Sequence, residues 1–259
     1  MQAQDALLLN LMATALAFVA GLILLRRAAP AHDTGAQARS LHRNWLRAGM
    51  VLGIASSAMM VNRNLDMVML GSLRSSTEVG VYKIAVTLAT LSATALNLLN
   101  VVVQPRIAQM YATGEMNGIR RVVTLVSRIG FATGGIIALT FFVLGEWLIQ
   151  TAFGANYAPA QAALQILVLG QLGNTFFGPV MMLLNMTGHE KIVMWSVITA
   201  AVGNIALNAL LIPIYGATGA AIATATTLFA WNLILNVQSL RKLGVDSSIL
   251  GIHRRISAR

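Results

Sequence analysis

The sequence predicts an all-α fold, a polytopic membrane helix bundle of about seven transmembrane helices. Three observations carry this reading. Of 259 residues, 57% are hydrophobic and only 10% are charged, whereas soluble domains carry about 25% charged residues; mean hydropathy is +0.72. Seven apolar segments each reach the roughly 18 to 20 residues that a spanning helix needs. The basic residues are sorted to alternate links between those segments, as membrane topology requires.

The segments are residues 6–25, 48–71, 79–103, 122–145, 160–185, 191–212 and 217–238. Residues 1–25 read as a first transmembrane helix rather than a cleaved signal peptide. Asp5 is the only charge before the apolar core, and Arg26 and Arg27 follow it, the reverse of a signal peptide's charge order. Residues 26–47 form a basic cytoplasmic loop, residues 48–240 a six-helix lobe and residues 241–259 a basic cytoplasmic tail. Turn formers occupy the short links, among them Gly71, Gly154, Gly188, Pro213 and Gly216. Pro179 falls inside the fifth span, where its missing N–H predicts a kink. Gly216, Gly219, Ala220 and Ala223 give the seventh helix a small-residue face suited to close packing.

Fifteen of the 18 Lys and Arg residues lie on one set of helix ends, including Arg26, Arg27, Arg120, Arg121, Arg254 and Arg255. The other set holds Arg74, with Lys83 just inside the third helix, and Arg63 lies within a span. Under the positive-inside rule the first set is cytoplasmic, so the N-terminus is outside and the C-terminus inside. This sorting accounts for the net charge of +10 without a nucleic-acid partner. Cysteine is absent, which excludes disulfides and thiolate metal sites, and neither a metal nor a cofactor is expected.

Polar groups inside the spans are the candidate site. Asn62, Arg63, Asn64, Leu65 and Asp66 interrupt the second span, and a charge at membrane depth costs at least about 2.5–3.5 kcal/mol. Asn62, Arg63 and Asp66 share one helical face, and Arg63 can reach Asp66 three residues on. They read either as a buried structural pair or as a contact for a substrate or coupling ion. On the third helix Lys83, Thr90, Asn97 and Gln104 recur every seven residues, with Thr94 and Asn100 on the same side. Such a stripe serves interhelical hydrogen bonding or walls a water-accessible path, and its length and its outer Lys83 favour the path. The single-turn pairs Gln171 with Asn174 and Asn204 with Asn208 read as contacts between helices, and Arg128 as a side chain that snorkels to the membrane surface. His189, Glu190 and Lys191 share a short loop and form neither a metal site nor an acid–base site; with no phosphate loop, dinucleotide fingerprint or triad, an enzyme is not expected.

Several stretches resemble one family. Asp66 through Gly71 followed by Val79, Gly80, Tyr82 and Ala85 resembles the D-x-x-x-L-G…V-G-x-Y-x-x-A pattern of bacterial polysaccharide flippases, in the multidrug/oligosaccharidyl-lipid/polysaccharide exporter superfamily. Gln104-Pro105-Arg106, Phe153-Gly154-Ala155-Asn156-Tyr157 and Ile212-Pro213-Ile214-Tyr215-Gly216 keep the same order across about residues 48–240. The resemblance implies two six-helix lobes that rock about a central cavity, the MATE-like arrangement. It implies a glycan linked to isoprenoid pyrophosphate as cargo, membrane lipid as surroundings and the bacterial inner membrane as location. Arg63 and Lys83 are then the residues for the pyrophosphate, with Asn62, Asp66, Asn97 and Asn100 as further substrate-facing candidates.

The chain resembles only the C-terminal lobe and the helix before it. It is therefore expected to be a truncated product, a fragment, or one half of a two-chain or homo-oligomeric transporter, with the remaining helices encoded immediately upstream. The alternatives are a cation-coupled multidrug or metabolite antiporter of the same superfamily, against which the basic intramembrane residues argue, and a non-transporting membrane scaffold. A glycan ligase or polymerase would need a larger outer loop than this sequence has.

Overall fold

The computed structural model describes residues 64–252, together with residues 49, 50, 53 and 60. The first helix, the basic loop, Asn62 and Arg63 lie outside the described residues. The described helices belong to one compact unit, residues 48–259. Among the described residues the chain is helical without strands, an all-α membrane helix bundle.

Helix α1 (residues 64–73) ends at a turn where the Ser75 hydroxyl accepts the Glu78 N–H and starts α2 (Ser76–Leu91). Ser and Glu three apart are the sequence signature of such a start. α2 and α3 (Thr94–Ala112) are the two parts of one expected straight span, bent by 49° at Ser92 and Ala93. No glycine or proline marks this bend in the sequence. The backbone of Ser92 there lies so close to α4 (Met116–Phe153) that a Cβ on Gly134 would come within 2.6 Å of the Ser92 carbonyl oxygen. A tertiary contact therefore accompanies a bend that propensity does not announce.

α5 (Ala160–Phe177) is central and packs on α7, α4 and α2. It breaks at Gly178 and Pro179, and α6 (Val180–Met186) departs at 41°. The expected kink is present, because Pro179 offers no N–H and Gly178 adopts φ 65°. α7 (Glu190–Leu243) is 54 residues long and turns at Gly216, whose φ 55° and ψ −132° are non-helical. Its halves, residues 190–215 (α7a) and 217–243 (α7b), fold back on one another, since Asn204 on the first hydrogen-bonds Thr227 on the second. Gly216, Gly219, Ala220 and Ala223 are all buried in this hairpin, as their small size predicts.

The apolar interior forms two clusters. One gathers Leu70, Tyr82, Ile149, Leu164 and Ile212, the other Ile107, Ile119, Val180, Leu184 and Leu235. The outward faces are equally apolar: Val101 and Val102 on α3 are 71% and 73% exposed and Trp147 on α4 is 63% exposed. α4 and α7 are each long and apolar enough to cross a membrane, and each bent pair passes when joined. Those outward faces are the surface for lipid.

The turn between α1 and α2 clamps the corner of the α7 hairpin. Arg74 donates to the carbonyls of Ile212 (3.2 Å) and Pro213 (2.7 Å), which have lost their helical partners at the break. Glu78 accepts the N–H of Ala217, the first residue of α7b, at 3.2 Å. Each charge thus complements the dipole of the helix end it touches. Arg74→Ala is expected to lower stability by about 1 kcal/mol, read as a reduced thermal midpoint in detergent; an unchanged midpoint would mean water serves those carbonyls equally well.

Beyond α7b, residues 245–248 turn back into the bundle and are buried, Val245 and Ser247 completely. Asp246 accepts hydrogen bonds from the Asn236 amide (3.0 Å) and from the N–H groups of Ser248 (2.9 Å) and Ile252 (3.0 Å). Burial pushes its carboxyl up, but the hydrogen bonds from Ser248 and Asn236 outweigh burial and hold it below the ordinary aspartate value. A depressed carboxyl contributes stability that is present above its unfolded value, about pH 4, and is lost as pH falls through the folded value. The wild-type thermal midpoint is therefore expected to fall more steeply below about pH 4 than that of Asp246→Asn; parallel curves would contradict this. Residues 245–248 of the expected basic tail are thus part of the bundle, and Arg254, Arg255 and Arg259 follow later in the sequence.

Candidate functional site

A cavity of about 470 Å³ lies between the two apolar clusters, walled by α1, α2, α3, α5, α6 and both halves of α7. Its volume is that of an ordinary small-ligand site. The polar end is built around Asp66, which is 4% exposed. Asp66 Oδ2 accepts from the Tyr82 hydroxyl (2.9 Å) and the Thr224 hydroxyl (2.5 Å), and Oδ1 accepts from Asn208 Nδ2 (2.8 Å).

The topology explains why these groups meet. Asp66 and Tyr82 sit on two helices joined by the tight turn at Arg74 and Ser75. Asn204 and Asn208 are one turn apart on α7a, and Thr224 and Thr227 one turn apart on α7b. The hairpin at Gly216 sets these pairs opposite each other, and the small residues beside it let the helices approach. Asn208 Nδ2 also reaches Asn204 Oδ1 at 2.8 Å, and Asn204 Nδ2 donates to Thr227 at 3.1 Å. Asn208 Oδ1 is buried without a hydrogen-bond partner, and a buried acceptor left unpaired costs about 1–3 kcal/mol. The cluster thus pairs one carboxylate with two neutral hydroxyls and an amide N–H and keeps an acceptor in reserve.

The rest of the cavity is lined by neutral amides and apolar groups. Gln171 and Asn174 face it from α5, Asn97 from α3, Met181 from α6 and Trp231 from α7b. Asn232 donates to Asn174 Oδ1 at 3.2 Å and ties α7b to α5. Among the described residues Asp66 is the one charged side chain in the lining, and no group of three or more His, Cys, Asp or Glu residues is placed to hold a metal.

The sequence candidates separate on this geometry. Asp66 and Asn97 line the cavity, as does Thr90. Asn100 is half-buried, with its Oδ1 buried and unpaired, and is not in the lining. Lys83 is exposed on α2 outside the lining, and Gln104 is likewise exposed and outside it. The stripe is divided at its ends: Thr90 and Asn97, on either side of the bend at Ser92, line the cavity, and the outer members Lys83 and Gln104 do not. Asn62 and Arg63 lie outside the described residues, so the Arg63–Asp66 pairing does too. Asn204 and Asn208 do join helices, as their spacing suggests, and Asn208 also holds the carboxylate. Arg128 is exposed, with its guanidinium on the carbonyl of Ile249 at 3.1 Å. Tyr82, Thr224 and Thr227 were not singled out from their polarity. The Thr-x-x-Thr spacing within an otherwise Ala-rich stretch is the signal that could have found the last two.

Fold and site together define a multi-pass membrane protein with a polar cavity buried among its helices. Residues 5–111 match the family described as polysaccharide biosynthesis protein, a stretch that carries Asp66, Tyr82, Asn97 and Asn100. A probable flippase, AglR, of Haloferax volcanii is 28% identical over 185 residues, which is 69% of this chain and 38% of that protein. No solved structure matches the chain. Over these stretches the chain is similar to that family and to that probable flippase. It spans well under half the length of the relative it matches.

Proposed function

We propose that this chain forms the cavity-bearing lobe of a cation-coupled carrier that moves a glycan linked to isoprenoid pyrophosphate across the bacterial inner membrane. The single observation that carries the coupling is Asp66, a buried carboxylate whose described partners are all neutral. Such a group in a membrane interior is expensive unless a mobile cation periodically neutralises it. A proton suits this carboxylate, as does an alkali ion held by it and the hydroxyl oxygens of Tyr82 and Thr224, which are hard ligands. The amides of Asn97, Gln171 and Asn174 offer both donors and acceptors, the complement of a sugar's hydroxyls. Arg63 and Lys83 are the proposed positions for the pyrophosphate, with Asn62 next to Arg63 in the sequence, and Asn100 sits one turn beyond Asn97 on the same helix. The sorting of Lys and Arg supports an N-terminus outside and a C-terminus in the cytoplasm. A carrier of this kind does no bond chemistry, and its partner is a separate N-terminal half or a second copy of the chain.

The test is restoration of surface glycan in a flippase-deficient strain by the chain, alone and together with an N-terminal half of a related flippase. Restoration in either arrangement supports the reading. An inserted chain that restores nothing in both would refute it and favour a scaffold. One observation favours the antiporter alternative: the described lining carries an anion and no cation, which suits a cationic substrate. Resistance to cationic drugs without glycan export in the same strain would select that alternative.

A further inference from the structure

Residues 245–252 are positioned to control the break in α5–α6. That break leaves the carbonyls of Phe176 and Phe177 without the donors a continuous helix would supply. The folded-back segment provides both: Ile249 N–H reaches Phe176 O at 3.0 Å, and the Ser247 hydroxyl reaches Phe177 O at 2.8 Å. It is itself anchored from two other helices. The Ser127 hydroxyl of α4 donates to Ser247 O at 2.5 Å, and Asn236 of α7b accepts the Ser247 N–H at 2.9 Å while donating to Asp246. Residues 245–248 are buried: Val245 belongs to the second apolar cluster, the Ser239 hydroxyl donates to its carbonyl at 2.8 Å, and Asp246 and Ser247 are held mainly by polar contacts. Asn174 before the break and Met181 after it both line the cavity. A change of angle at Gly178 and Pro179 therefore changes the cavity's shape.

We propose that residues 245–252 are a releasable strap that fixes the α5–α6 break at its present angle, and that undocking the strap frees α6 to swing and reshape the cavity. The hydrogen bonds it makes are of the kind water can replace once the segment leaves, so the docked and undocked states differ by exchangeable contacts and by the burial of one core side chain, Val245. In the carrier reading this gives one of the two-position elements that alternation needs, but the strap and hinge exist whatever the cargo.

The chain has no cysteine, so a single introduced thiol reports one position. Ser248→Cys, at a residue 2% exposed, reads the strap, and Met181→Cys reads α6 from the cavity side. Each is labelled with a maleimide in membranes, with and without Ser247→Ala, which removes the hydroxyl contact to Phe177. Asp246→Asn, which preserves side-chain shape, replaces it should Ser247→Ala fail to fold. Loosening the strap is expected to raise labelling at Ser248→Cys by about tenfold or more, with a comparable change at Met181→Cys. Faster labelling of the strap with no change at Met181→Cys would overturn its control of the hinge. Unchanged labelling at Ser248→Cys would overturn the strap as a releasable element. No glycan is present in the measurement, so its failure is separate from failure of the carrier reading.

Discussion

Asp66→Asn is expected to lower coupled export by about 100-fold while the protein still inserts and folds. In the proposed carrier the charge binds and releases the coupling cation, and a charge at membrane depth is worth at least about 2.5–3.5 kcal/mol, where 1.4 kcal/mol is a tenfold change. The substitution is chosen because the site tolerates its shape. An amide oxygen still accepts from Tyr82 and Thr224, and Asn208 can turn its unpaired Oδ1 toward the new NH₂ group. Asp66→Ala is a poorer test, because it strands the donors of Tyr82, Thr224 and Asn208, each at about 1–3 kcal/mol. Export is measured by surface glycan in the deficient strain, and insertion by protease protection of the membrane fraction. Wild-type export from Asp66→Asn, unaltered by collapsing the proton or sodium gradient, would remove the carboxylate from the mechanism.

Gly178→Ala is expected to be strongly destabilising for a single-methyl change, at about 2–5 kcal/mol. Two independent effects add. The residue adopts φ 65° and ψ −146°, a conformation that nearly requires glycine. A Cβ there would also run into the Ser127 side chain and come within 2.9 Å of the Ser247 carbonyl oxygen. Ser127 is buried and held by its hydrogen bond to Ser247, so it cannot rotate away freely. The loss is read as yield of monodisperse protein and as thermal midpoint in detergent. Pro179→Ala is the contrast: it restores an N–H without a clash, so its loss should be much smaller. Equal losses would mean that the proline, not the left-handed glycine, sets the break.

Helical membrane character was legible because it rests on composition and segment length. A span needs about 20 apolar residues whatever its neighbours. The kink at Pro179 and the close packing around Gly219 and Ala223 were legible for the same reason, since a missing N–H and a missing side chain act locally. The bend at Ser92 was not, because it depends on the approach of α4 at Gly134, forty-two residues later by number. The two inner members of the seven-residue stripe, Thr90 and Asn97, line the cavity from either side of that bend, and its outer members do not. Tyr82 is an apolar-looking tyrosine by sequence and becomes a site residue only because the turn at Ser75 returns it to Asp66.

Although α4 runs Met116–Phe153 rather than 122–145 and α3 continues to Ala112 rather than 103, the residue pattern alone specifies an all-α membrane protein, the bounds of α5–α6 and α7a to within a few residues, and a polar interruption at Asp66. Those properties follow from hydropathy and local backbone chemistry, which each segment carries alone. Only the tertiary structure decided which polar groups form a site and where residues 245–252 dock. Asp66 meets Asn208 and Thr224 across 142 and 158 residues of chain, and Ser247 meets Ser127 across 120. Contacts at such separations are set by how helices fold back and bend, and a segment's own residues do not specify them.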